Sequence, residues 1–305
     1  MKHIFVINGA AGNGKESEAL KPLIAKLSCD AEIYETKAPR DAVAFVDGYC
    51  KAHSEPVRFY ACGGDGTLKE VAEGAMGHAH ASISVVPVGS GNDFVKYFGG
   101  AEGFLDVEAL VNAEAKDIDV IGISADGVED TYSINVCNFG FDAYVATVMH
   151  KIRRTFLLGG KNAYTTGIVA AIFRAMRTQA SIYADGKLIS EDGAFTLCTV
   201  ANGGYVGGGY NCAPRADVED GFIEVCMIKP VSLITFLRLI GIYKNGGHLE
   251  DKRFAKYIKY CRAKEVVVEA KKPICVCLDG EVFKTARFVA TVKEKAIKFA
   301  SPMKK

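Results

Sequence analysis

Up to about residue 125 the chain alternates short apolar, β-prone runs with longer stretches of helical spacing. The runs at 4–8, 57–62 and 84–88 are too short for buried helices and are rich in β-branched or aromatic residues. Between and after them, Glu16 to Leu27, Arg40 to His53 and Leu105 to Ala115 read as helices. Strands alternating with helices predict βαβ units and a parallel sheet. Beyond residue 125 the punctuation changes. Asp-Gly pairs at Asp126-Gly127, Asp185-Gly186, Asp192-Gly193, Asp220-Gly221 and Asp279-Gly280 separate strand-like runs. Such pairs are hairpin signals, so an antiparallel, sandwich-like second half is expected. Two helical insertions are expected within it, over Ala163 to Thr178 and Ser232 to Tyr243.

Composition narrows the class without naming a function. A chain of 305 residues suffices for two domains, each with its own core. A net charge of +1 lacks the basic excess of a nucleic-acid binder, so no nucleic-acid partner is expected. Lys2-His3 runs directly into a strand-like segment, unlike a secretory leader. No apolar run approaches the ~18–20 residues of a membrane span; the richest, Val231 to Tyr243, is short and carries Arg238. Ten scattered cysteines include no Cys-x-x-Cys pair, which argues against zinc. Most sit in apolar runs as small buried hydrophobes, and Cys275 and Cys277 share one face of a strand by the period of two. Reduced thiols and a cytoplasmic location are the expectation.

The candidate chemistry lies in two glycine loops. Val57–Ala61 leads into Cys62-Gly63-Gly64-Asp65-Gly66-Thr67-Leu68-Lys69-Glu70, which reads as strand, tight turn and helix start. Glycines there allow positive φ and close approach of a ligand to the main chain. The unpaired N–H groups of the following helix suit phosphate. Asp65 would repel phosphate, so it must hold Mg2+, orient backbone donors or bind a nucleotide hydroxyl; an ordinary Asp-Gly turn is the alternative. Ser84–Val88 leads into a second such loop, Gly89-Ser90-Gly91-Asn92-Asp93-Phe94. Asn92 and Asp93 also suit a helix N-cap, a role compatible with ligand binding. Two such turns at the carboxyl ends of parallel strands would face one crevice. Gly9-Ala10-Ala11-Gly12-Asn13-Gly14-Lys15 spells most of a P-loop but continues with Glu16 where the motif needs Ser or Thr. A P-loop enzyme is therefore disfavoured, although this loop can still line the crevice through its backbone.

Together these blocks resemble the bacterial diacylglycerol kinase-type lipid kinases, within a superfamily that includes NAD kinases and sphingosine and ceramide kinases. The resemblance continues through Asn135-Val136-Cys137-Asn138-Phe139-Gly140-Phe141-Asp142 and Asn202-Gly203-Gly204-Tyr205-Val206-Gly207-Gly208-Gly209. It ends with Ala213-Pro214-Arg215-Ala216, Glu219-Asp220-Gly221 and Leu278-Asp279-Gly280-Glu281. It implies an α/β fold with a Rossmann-like three-layer nucleotide domain over 1–124, to which 295–305 returns, and an antiparallel β-sandwich domain over 125–294. It implies ATP and Mg2+ as cofactors and a lipid hydroxyl, most often that of diacylglycerol, as phosphate acceptor. Nucleotide contacts are implied for Asn8, Thr36, Gly63, Gly64, Asp65, Gly66, Thr67, Leu68, Lys69, Ser90, Asn92, Asp93 and Glu281. Asp279 matches the general base, with Asp65 the second catalytic acid, whereas local sequence alone reads Asp279 as one more hairpin turn. Asp217, Asp220 and Phe222 match the ligands of a structural Mg2+, with Asp220 giving its carboxylate and the other two their carbonyls.

The family pattern is not followed everywhere. Gly9 and Ala11 replace a usual Pro and Ser, Lys69 stands at a usual Asn, and Ser90 at a usual Thr. Lys69 is expected near triphosphate, and the Thr36 hydroxyl has a strand-end turn as its alternative. The partner implied is a lipid at a membrane surface, reached transiently and peripherally, with a homodimer left open. The basic, apolar Met149–Leu158 stretch suits either a membrane surface or a solvated helix. The competing readings are a kinase of a soluble acceptor such as NAD and a non-catalytic nucleotide sensor.

Overall fold

A computed structural model describes residues 1–11, 15–155 and 176–302, with side chains of the helix ending at 155 described as far as 148. Four parallel strands open the chain: β1 (Lys2–Ile7), β2 (Ala31–Glu35), β3 (Val57–Gly63) and β4 (Ala81–Pro87), in the order β2-β1-β3-β4. They are joined by α1 (Lys15–Ile24), α2 (Asp41–Ala52) and α3 (Asp65–Ala75). The reversal of direction after β2, with right-handed crossovers, puts α1 on one face and α2 with α3 on the other. The two helices meet closely: a Cβ on Gly74 would lie 2.7 Å from the Val43 carbonyl oxygen. Covered on both sides, β3 and β4 are buried along their whole length, which is why they read as continuous apolar runs.

The expected helix over Leu105–Ala115 is shorter, α4 (Val107–Asn112), capped by the Asp106 carboxylate, which accepts the Ala109 N–H at 3.0 Å. It stops because Ala115 already belongs to β5 (Ala115–Ala125), whose ladder to the last strand claims the backbone from that residue on. The helix expected over Ala163–Thr178 lies outside the described residues except for its last three positions. Around Ser232 the expectation is met: the Ser232 hydroxyl caps α6 (Leu233–Lys244), accepting from the Thr235 N–H at 3.2 Å.

From β5 onward the strands pair antiparallel. They are β6 (Val128–Ser133), β7 (Val136–Gly140), β8 (Ser181–Ala184), β9 (Lys187–Leu188), β10 (Leu197–Ala201), β11 (Tyr205–Val206), β12 (Tyr210–Asn211) and β13 (Ile223–Ile228), followed by β14 (Ile258–Ala263), β15 (Glu265–Leu278) and β16 (Glu281–Ala300). The helix α5 (Phe141–Thr155) follows β7. β15 pairs with β8 through Val266–Glu269 and with β7 through Val276–Leu278, its register to β16 breaking between Glu269 and Ile274. The long β15–β16 hairpin thus passes from one layer to the other, and Ile123, Phe139, Phe195, Val225, Val266 and Phe288 fill the core of this sandwich-like half. Cys275 and Cys277 share a face, as their spacing predicts, and pack against Ala143 of α5.

Three Asp-Gly pairs are hairpin turns, joining β5 to β6, β8 to β9 and β15 to β16. In the last two both residues have positive φ, at Asp185 47° with Gly186 76° and at Asp279 46° with Gly280 92°, as a two-residue primed turn requires. Asp192-Gly193 and Asp220-Gly221 lie in longer loops instead. β16 runs for 20 residues, shifts register between Lys293 and Ile297, and ends with Lys298 and Phe299 paired parallel to Ser82 and Ile83 of β4. The last strand of the antiparallel half therefore extends the parallel sheet. Among the described residues no helix is long and apolar enough to cross a membrane.

Candidate active site

A cavity of about 620 Å3 opens where the carboxyl ends of the four parallel strands meet. Asn8, Ala10 and Ala11 follow β1, Thr36 to Pro39 follow β2, Gly64 to Thr67 follow β3 and Gly89 to Gly91 follow β4; Asp279, Gly280 and Glu281 complete the lining. The sheet's strand order reverses here, the usual ligand position in open α/β sheets.

The glycines serve close approach rather than unusual torsions. None of Gly63, Gly64, Gly66, Gly89 or Gly91 has positive φ, contrary to the sequence expectation; the left-handed residue of these loops is Asn92, at 49°. A Cβ on Gly89 would lie 2.3 Å from the Gly64 Cα, and one on Gly63 would lie 2.2 Å from the Thr67 hydroxyl oxygen. The two loops touch backbone to backbone, and the Gly89 N–H donates to the Gly63 carbonyl at 3.1 Å.

Of the three roles open to Asp65, the structure shows the orienting of backbone donors. Its Oδ1 accepts the N–H groups of Asp93 at 2.7 Å and Phe94 at 3.3 Å, so the acid of the first loop caps the short 3-10 helix Phe94–Phe98 of the second. Burial, and then the nearby Asp93 carboxylate, push its carboxyl above the usual carboxylate range. Asp93 stands at the N-cap but makes no side-chain cap bond. Its carboxylate instead accepts from Lys96 Nζ at 2.5 Å and from the Gly208 N–H at 2.9 Å. Asn92 donates through Nδ2 to the carbonyls of Gly89 and Pro87. Both were expected to touch nucleotide; they shape the loop and do not line the cavity.

The remaining expected contacts divide. Asn8 lines the cavity, accepts the Ala10 N–H and donates to the Thr67 hydroxyl at 3.0 Å, tying the first turn to α3. Thr36 lines it too, its hydroxyl donating to the Ile7 carbonyl. Ser90 lines it and is exposed. Leu68 belongs to the core beneath, since it lies on the buried side of α3. Lys69 is the clearest correction to a triphosphate contact. Its side chain is 2% exposed and its Nζ sits 2.5 Å from Glu281 Oε2, with Glu73 at 3.9 Å. A buried ammonium needs a counter-charge, and here the hairpin turn supplies it.

Asp279 closes the cavity from the antiparallel half. Its Oδ1 accepts the Ser133 hydroxyl and the Val136 N–H, each at 2.9 Å, and its Oδ2 accepts the Ile134 N–H at 3.0 Å. Burial dominates and pushes its carboxyl up to about 6, against the pull of these donors and of the Lys69 charge. A carboxyl held near 6 and facing a cavity can exchange a proton near neutral pH.

The carboxylate that the resemblance gives to a structural Mg2+ is engaged by protein groups in this structure. The Asp220 carboxylate is paired with Arg262, whose guanidinium lies 4.5 Å from the centre of the Phe222 ring, and it also accepts the Phe222 N–H. Asp217 accepts from the Tyr97 hydroxyl at 3.0 Å. A guanidinium thus stands beside the carboxylate that the resemblance gives to Mg2+.

Sequence reasoning missed several residues. Lys37, Ala38, Pro39 and Glu70 line the cavity, and Glu70 also accepts the Arg40 N–H. Thr36 to Pro39 follow the strand that ends at Glu35, so the same strand-end rule could have found Lys37 to Pro39. Asp119 is fully buried and accepts the N–H groups of Gly221 and Lys295. Its signal was an acid inside the apolar run Ile118–Ile123.

Known proteins match along nearly the whole chain. Residues 2–123 match the diacylglycerol kinase catalytic domain and residues 135–301 the YegS C-terminal NAD kinase beta sandwich-like domain. The chain is 30% identical to the diacylglycerol kinase of Bacillus subtilis, over 72% of this chain and 70% of that one. It is 29% identical to a Pseudomonas aeruginosa protein named "Probable lipid kinase YegS-like", over 79% and 75%. The fold superposes on a diacylglycerol kinase structure from Bacillus anthracis with a TM-score of 0.67 at 19% identity, covering 98% of this chain and 96% of that one. With both domain families matched in order around one cavity, the chain belongs to the diacylglycerol kinase and YegS-like lipid kinase family and is a phosphotransferase with an alcohol acceptor.

Proposed function

We propose that this enzyme transfers the γ-phosphate of ATP, bound with Mg2+, to the hydroxyl of a lipid, diacylglycerol or a close relative, with Asp279 as general base. The observation that carries this reading is the Asp279 carboxylate in the wall of the cavity that both glycine loops line. The open N–H groups at the start of α3 and the close-packed backbone of the loops suit the phosphates. Mg2+ bound to the nucleotide would offset the charge of its phosphates. Asp279 takes the proton of the acceptor hydroxyl as its oxygen bonds to the γ-phosphorus, and the bond to the β-phosphate oxygen breaks to release ADP. Lys69 and Glu281 act as positioning residues that hold the hairpin carrying Asp279. In this reading residues 1–124 with 295–305 bind the nucleotide, and 125–294 present the acceptor.

The test is transfer from Mg2+-ATP to diacylglycerol, monoacylglycerol, a sphingoid base and phosphatidylglycerol in mixed micelles, with NAD as a soluble acceptor. A lipid product that disappears in Asp279→Asn is expected. Transfer to NAD alone, or an undiminished rate in the variant, would overturn the acceptor class or the base, respectively.

A further inference from the structure

The helix α6 is apolar on more than its buried side. Leu239 and Tyr243 are buried against Phe254, and Phe236 and Ile240 pack on the same cluster. The opposite side carries Ile234, Leu237, Arg238, Gly241 and Lys244, positions three or four apart that share one face. Ile234 is 65% and Leu237 62% exposed, the two most exposed large apolar side chains among the described residues. Single exposed apolar residues need no explanation, but two on adjacent turns of one helix face do.

The sequence around this face is predominantly basic. No acidic residue lies between Glu224 and Glu250, and Lys229 to Lys259 holds seven Lys and Arg against two acids. Among the described residues neither Arg238 nor Lys244 makes an ion pair; Lys244 Nζ lies over the Tyr210 ring at 5.6 Å. The turn that bears Phe254 packs beside α6 and exposes Lys252 and Lys256. The rest of the chain carries a net excess of acids, so this basic excess is local.

We propose that α6 is the surface by which this protein docks on anionic bilayers, with Ile234 and Leu237 entering the interface and Arg238, Lys244, Lys252 and Lys256 meeting the headgroups. The pattern is that of an interfacial helix, an apolar stripe edged by cations. A second copy of the chain is the poorer occupant, because a twofold contact would set the basic rims against each other. The proposal rests on the lipid-kinase reading, which brings the enzyme to a bilayer. α6 also packs on β12, and the β11–β12 hairpin donates the Gly208 N–H to Asp93 of the second glycine loop. Asn135, whose Nδ2 donates to the Tyr205 carbonyl, lies beside Val136, a donor to Asp279. Docking would therefore set the bilayer one hairpin away from the site.

The test is co-sedimentation of the full chain with phosphatidylcholine vesicles, with and without phosphatidylglycerol. The proteins are wild type, Ile234→Glu/Leu237→Glu and Arg238→Glu/Lys244→Glu, each checked for folding by circular dichroism. Binding is expected only with phosphatidylglycerol, weakened about tenfold or more in either double variant. Transfer to a short-chain, water-soluble diacylglycerol is expected to be unchanged in both. Wild-type binding by the apolar variant would overturn the proposal, as would a change in oligomeric state in that variant with vesicle binding intact. Binding that depends on α6 without any phosphotransfer would sustain docking and sink the acceptor reading; transfer with binding indifferent to α6 would do the reverse.

Discussion

Two Asp-Gly pairs meet at one cavity, and they are built in opposite ways. Asp65-Gly66 starts a helix at the end of a parallel strand, with ordinary torsions, and its carboxylate holds the backbone of another loop. Asp279-Gly280 turns a hairpin, both residues at positive φ, and its carboxylate is received by three donors from Ser133 to Val136. The parallel region organises its site by bringing loops into contact, the antiparallel region by burying one acid. The same dipeptide is a clamp in one region and a buried acid at the cavity wall in the other because its tertiary partners differ.

The comparison breaks most visibly at Asp279. Asp279→Asn is expected to lower kcat by about 10^2–10^4 while leaving the ATP Kd nearly unchanged, which isothermal titration beside the rate assay would check. Asp65→Ala should show the reverse emphasis. It orphans the Asp93 and Phe94 N–H groups, so ATP affinity should fall and urea unfolding should show a loss of about 1.5–3 kcal/mol. If Asp65→Ala lost only turnover, the two acids would share a role and the distinction would fail. Gly89→Ala tests loop contact directly: a Cβ set 2.3 Å from the Gly64 Cα should cost about 1–3 kcal/mol in the same unfolding measurement.

Smaller effects sharpen the comparison. As the proposed base, Asp279 has to be ionised, and burial holds it at about 6, so kcat/KM should fall as pH drops through 6. Lys69 pulls that value down, so Lys69→Met should move the acid limb to higher pH, read from the pH–rate profile. Least of all, a chelator should leave the unfolding midpoint of the nucleotide-free protein in place. Arg262→Ala should cost no more than about 1 kcal/mol, because the Arg262–Asp220 pair is partly exposed. A clear drop on chelation would restore a metal at Asp220.

Much of the fold was legible. The apolar runs at 4–8, 57–62 and 84–88 are strands, and the hairpins at 126, 185 and 279 stand where Asp-Gly predicted them. The glycine loops could be placed at strand ends, but the purpose of their glycines could not: only the neighbouring loop shows that space, not torsion, is limiting. Asn92 and Asp93 look like ligand residues because amide and carboxylate suit both ligands and loops. Lys69 misled because an isolated lysine beside a glycine loop suggests phosphate; its counter-ion, Glu281, lies 212 residues away.

The sequence by itself determined the order of strands, turns and helices, the positions of both glycine loops and the membership in a lipid kinase family. Those features follow from local periodicity and turn chemistry, which act within a few residues. Only the tertiary structure decided what each charge does. It seated Asp65 under the second loop, Lys69 against Glu281, Arg262 against Asp220 and Asp279 at the cavity wall, and it left one face of α6 uncovered. A side chain's donors, counter-charges and exposure to water come from segments distant in the chain, and packing alone brings them together.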